Sequence, residues 1–88
     1  MSRLIPAAER IARAHALIQK ARDLPVPPDA GPRDLEFIAQ VKDLMRQARD
    51  LIKFIPYTPS ATPEMKSEVA AINKETELAE KEILHPSN

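Results

Sequence analysis

Glu82-Ile83-Leu84-His85 is the stretch whose residue types and spacing come nearest to chemistry. A Glu-x-x-His pair sets a carboxylate and an imidazole on one face of a helix. Di-iron bundles use that spacing, but they need two such pairs and two further inward glutamates, spread over four helices. This chain supplies one pair, directly before Pro86, and both residues flank the apolar position Ile83 rather than occupy it. The other histidine, His15, lies among alanines beside an apolar stripe, where a ring packed on its face with one nitrogen toward solvent is expected. With no His-x-x-x-His and no cysteine, no zinc site can be assembled. Neither a metal nor another cofactor is expected.

Acid–base and nucleophilic chemistry fare no better. Ser2, Ser60, Ser67 and Ser87 fall in loops or on polar faces, none of them at a suggestive distance from a histidine. Glu75 and Glu82 share a side of one segment, but lysines lie between them, and two carboxylates need burial to separate their pKa values. A single glycine is too few for a phosphate-cradling loop. No catalytic residue is assigned, and a non-enzymatic protein is expected.

Basic residues offer the other chemical possibility. Arg3, Arg10, Arg13 and Lys20 recur at intervals of seven, three and seven, and Arg46, Arg49 and Lys53 at three and four. If both stripes faced one way they could follow a phosphate backbone, so nucleic-acid binding through helices one and two is the alternative function. Against it stand a net charge of zero, long proline-rich connections in place of a helix-turn-helix, and three aromatic residues in all. The charge is also sorted along the chain. Residues 1–24 hold five basic against two acidic side chains, and residues 64–85 hold three against six. A basic first helix beside an acidic third accounts for that segregation.

The elements that would carry these residues are set by the prolines. Four lie in residues 25–32, PVPPDAGP, and Pro56, Pro59 and Pro63 follow the second long segment. Proline lacks the amide donor and clashes inside a helix, so the clusters mark boundaries. Three helices are predicted, near 5–24, 33–55 and 63–84. The first has Pro6 at its first position and a stripe of Leu4, Ile11 and Ile18, with Ala7, Ala14 and Ala21 on one side, Ala8 on the other, and Leu17 and Leu24 widening it. Alanine presents little bulk, so a neighbour can approach closely. The second has Gly31 as cap and Pro32 in its first turn. Its apolar positions are Phe37/Ile38, Val41, Leu44/Met45, Ala48, Leu51/Ile52 and Ile55, the strongest periodicity in the chain. A face this wide needs two neighbours. The third opens with Thr62 as cap and carries Met65, Val69, Ile72, Thr76, Ala79 and Ile83 at 4-3-4-3-4 spacing, a seam like that of a coiled coil.

Short connections favour antiparallel neighbours, so the expected fold is all-α, an up-down-up three-helix bundle in one domain. The alternative is a helical hairpin whose extended third helix is completed by a partner or a second copy. At 88 residues the core is thin. No apolar run approaches the 18 or so residues of a membrane span. The basic N-terminal stretch contains Glu9 and Asp23 and lacks a signal peptide's apolar core and cleavage site. A soluble intracellular setting, cytoplasmic or in another such compartment, is the expectation, with organellar targeting not favoured.

Residues 54–63 are FIPYTPSATP. Phe54 falls off the apolar stripe of helix two, and Tyr57 is the only tyrosine. Corner packing would close one end of the core with two rings. Exposure would make a rigid aromatic knob, since flanking prolines lower the entropy cost of holding it. The functional expectation is a helical protein–protein interaction module, an adaptor or small subunit that associates with a protein partner or with itself. Its candidate contacts are Phe54, Tyr57 and the seam residues Met65, Val69, Ile72, Thr76, Ala79 and Ile83.

Overall fold

A computed structural model describes residues 6–85. They form three helices, α1 (Ala7–Arg22), α2 (Leu35–Ile52) and α3 (Pro63–Leu84), with a 3-10 turn in each connection, Gly31–Arg33 and Ile55–Tyr57. No strand occurs among the described residues.

The ends differ from the sequence expectation in ways the local chemistry explains. Pro6 is the residue before α1, with an extended ψ of 148°, and not its first helical position. Leu4 lies outside the described residues. The Asp23 amide still donates to the Gln19 carbonyl at 2.9 Å, and Leu24 then donates to Ala21 at 3.3 Å, tightening the last turn before Pro25. Gly31 does not cap α2. Its φ of +62°, which glycine adopts without a side-chain penalty, starts the separate Gly31–Arg33 turn with Pro32 inside it. The cap is Asp34, whose carboxylate accepts a bond from the Phe37 amide at 2.9 Å, a stronger partner than glycine can offer. The far end of α2 stops at Ile52 rather than Ile55. Had the helix continued, the Pro56 ring would meet the Ile52 carbonyl four residues back. α3 begins as expected, with Thr62 Oγ1 accepting from the Met65 amide at 3.1 Å and Pro63 at the first position.

Side-chain contacts fix the directions. Arg10, near the start of α1, donates from Nη1 to the carbonyl of Leu51, near the end of α2, at 3.3 Å. Lys42 Nζ, early in α2, lies 3.8 Å from the Glu80 carboxylate late in α3. Arg22 and Glu82, both near C-terminal ends, pair at 2.9 Å. α1 and α3 are therefore parallel and α2 runs against both. This is the up-down-up bundle, and each helix contacts the other two. The Arg22–Glu82 pair is also where the basic first helix meets the acidic third.

One core runs between the helices. Ile11 and Ile18 of α1, Met45 and Ile52 of α2, and Val69 and Ile72 of α3 are buried in it. Ala14, Ala21, Ala48 and Ala79 are buried beside them, small side chains within the same core. Burying an isoleucine or methionine of this kind stabilises the fold by about 1.5–3 kcal/mol. A smaller cluster of Phe37, Val41 and Leu84 closes the end where α2 starts and α3 finishes. α2 supplies the greatest number of buried residues, as its wide stripe requires.

Candidate interaction surfaces

The 4-3 seam of α3 is turned inward. Val69, Ile72, Thr76 and Ala79 are buried, and Met65 and Ile83 are partly buried against the core. A seam read as available to another chain is thus occupied by α1 and α2 of its own chain. A partner could reach it only by opening the bundle. Its polar member has a local role. Thr76, fully buried, accepts a bond from Arg49 Nε at 3.1 Å and donates its own proton to the Asn73 carbonyl at 2.7 Å. No buried side-chain donor or acceptor is left without a partner among the described residues.

The same bond removes Arg49 from the basic stripe proposed for α2. Its neighbours are also engaged. Arg46 pairs with Asp43, and Lys53 Nζ lies 3.3 Å from Asp50. The hydrogen bond from Arg46, aided by one from Gln47, holds the Asp43 carboxyl below its ordinary value, and Asp43 in turn raises Arg46. On α1, Arg13 lies 3.7 Å from Glu9 and Arg10 is bonded to Leu51. Arg3 is outside the described residues. The six described cations proposed for phosphate therefore do not form one bare stripe. Arg10, Arg13 and Lys20 share a groove with Asp50, while Arg49 is directed at α3.

The residues singled out for metal chemistry are likewise separated by use. Glu82 is held by Arg22, His85 is the exposed C-terminal cap of α3, and His15 is exposed on α1. Among the described residues no group of three or more histidines and carboxylates could hold a metal ion.

The corner after α2 resolves the question its sequence poses. Ile55 is buried and anchors the turn, while Phe54 and Tyr57 on either side are 67% and 83% exposed. The turn is held by bonds from the Tyr57 amide to the Phe54 carbonyl and from the Thr58 amide to the Ile55 carbonyl, both 3.1 Å. Thr58 Oγ1 donates to the same Ile55 carbonyl at 2.8 Å. Lys53 Nζ sits 5.1 Å from the Phe54 ring centroid, a cation–π distance. Corner packing is excluded for both rings. They project from a turn fixed at its base.

Phe54 also borders a hollow with Pro6, Ala7 and Leu51, and Leu51 also lines a larger, more open groove between α1 and α2. That groove has Ala16, Leu17 and Leu51 as apolar lining and Arg13, Lys20, Gln47 and Asp50 along its sides. Sequence reasoning missed it because Leu17 and Leu51 were absorbed into core stripes. The spacing Arg13-Leu17-Lys20, an apolar residue one turn from a cation on each side, was the available signal.

No protein-family model, curated protein or solved structure matches this chain.

Proposed function

We propose that the protein is a non-catalytic interaction module, an adaptor or small subunit that docks a protein partner through its Phe54–Tyr57 corner. The observation that carries this reading is the exposure of both rings on a turn anchored by buried Ile55. Aromatic side chains presented in a fixed geometry bury large areas with little loss of conformational freedom, and they dominate the energetics of many interfaces. Neither ring belongs to the buried core, so both contribute little to folding.

The test compares two proteins on the same native cell extract. The wild type is expected to enrich a protein partner that the Phe54→Ser, Tyr57→Ser double variant does not, with both chains equally helical by circular dichroism. Equal enrichment by the two would remove the corner from this role. No specific capture by either would remove the interaction reading.

A further inference from the structure

We propose that a second copy of this chain docks the outer flank of its α3 into the α1–α2 groove of the first, giving a head-to-tail assembly. Two surfaces on one chain support this, an apolar floor edged by charge and a single exposed leucine set between charges of opposite sign. The groove is lined by Leu17 and Leu51, with Arg13 and Lys20 on its α1 side and Asp50 on its α2 side. On α3, Leu78 is 49% exposed and points away from the seam. Successive helical residues are about 100° apart, which places Glu75 and Glu82 on one side of Leu78 and Lys74 and Lys81 on the other.

This sidedness selects a direction. When the incoming α3 runs parallel to α1, with Leu78 over Leu17, Glu75 comes to Arg13, Glu82 to Lys20 and the lysines to Asp50; Glu82, Arg13 and Asp50 share or exchange their own-chain partners Arg22, Glu9 and Lys53 in doing so. Running the other way, lysine meets lysine and arginine. Like charges placed together suppress the wrong docking, and the complementary arrangement favours the right one. The groove and the α3 flank lie on different faces of the bundle. The contact is therefore heterologous, and it propagates from copy to copy unless a rotation closes it into a ring. It uses neither Phe54 nor Tyr57, so it stands apart from the corner reading.

Sedimentation equilibrium on the whole chain tests the proposal. At low salt the weight-average mass should climb above the monomer's 9.8 kDa as concentration rises, and the climb should shrink at high salt. An Arg13→Glu, Lys20→Glu variant loses the groove, and Leu78→Lys loses the flank, so each alone should stay at 9.8 kDa. Mixed in equal amounts, one supplies the intact groove and the other the intact flank, and the mass should level off at twice the monomer value. Circular dichroism checks that each remains helical, with Glu75→Lys replacing Leu78→Lys should the latter lose structure. The Phe54→Ser, Tyr57→Ser variant should follow the wild-type curve, so failure here and failure of the corner reading are separable. A wild type that stays at monomer mass throughout, variants that assemble as it does, or a mixture that remains monomeric would each overturn the proposal.

Discussion

Arg49 of α2 reaches across the bundle to place its Nε 3.1 Å from the buried hydroxyl of Thr76 on α3. A polar residue inside an apolar seam is tolerated when it has a partner, and the partner then fixes which residues lie opposite each other. Here the registration is between two helices of one chain.

The bond is measurable by a double-mutant cycle. Arg49→Ala should cost about 0.5–1.5 kcal/mol, since Thr76 keeps its bond to Asn73. Thr76→Val, nearly the same shape, should cost no more than about 1 kcal/mol. Combined in urea denaturation, the two should show a coupling of about 0.5 kcal/mol or more. Strict additivity would mean that the contact contributes nothing.

Depth should separate two leucine-sized positions on neighbouring helices. Ile72→Ala, at a fully buried site, should cost about 2–5 kcal/mol. Leu51→Ala should cost clearly less, because Leu51 is only partly buried where it lines the groove. Equal losses in denaturant would show that the groove is closed in solution.

Helix α2 depends on a carboxylate cap where a glycine cap would have sufficed for a weaker start. Asp34→Ala is expected to lower stability by about 1 kcal/mol, and Asp34→Asn by less. Gly31 supplies only the turn before it, so its replacement should act through backbone strain at φ +62° and leave the Phe37 amide protected from exchange. Loss of that protection in a Gly31 variant would return the cap to the glycine.

The corner should show a sharp contrast over a few residues. Ile55→Ala should cost about 2–5 kcal/mol as a buried anchor. Phe54→Ser and Tyr57→Ser should each fall within about 0.5 kcal/mol of wild type. Thermal unfolding followed by circular dichroism distinguishes them, and a large loss at either aromatic would mean that its ring is packed.

Asp43 should titrate below its ordinary value of 3.8, because Arg46 and Gln47 bond its charged form. A carboxyl held low stabilises the fold above its unfolded pKa, and that contribution is lost as pH falls through the folded value. The affected window therefore lies below pH 3.8. Carboxyl carbon shifts in a pH series should show the Asp43 midpoint rising in Arg46→Ala, while an unmoved midpoint would place the cause elsewhere.

Much of the fold was legible because prolines and heptad spacing are local signals. The α2 stripe from Phe37 to Ile52 and the whole of α3 stand where periodicity puts them. What was not legible depended on competition between neighbours. Gly31 and Asp34 were both plausible caps, and the carboxylate's bond to Phe37 decides between them. Thr76 could have registered a second chain or this one, and only the approach of Arg49, 27 residues away, distinguishes the two. Phe54 and Tyr57 could not be placed from sequence, since whether a ring packs beneath a corner depends on the room left by Ile55 and α3. Leu78 lies one position off the seam, where pattern reading sees only a surface residue.

The exposed corner also equips the protein with a single optical reporter. Tyr57 is the only tyrosine and there is no tryptophan, so near-ultraviolet emission arises almost entirely from one ring. That ring is already 83% exposed in the fold. Its fluorescence will therefore change little on unfolding, and a melt followed by it would understate the loss of structure. Burial of the corner by a partner should shift the same signal strongly. An unlabelled titration with a partner fragment that lacks tyrosine and tryptophan thus discriminates occupancy of this one spot from events at the groove or in the core.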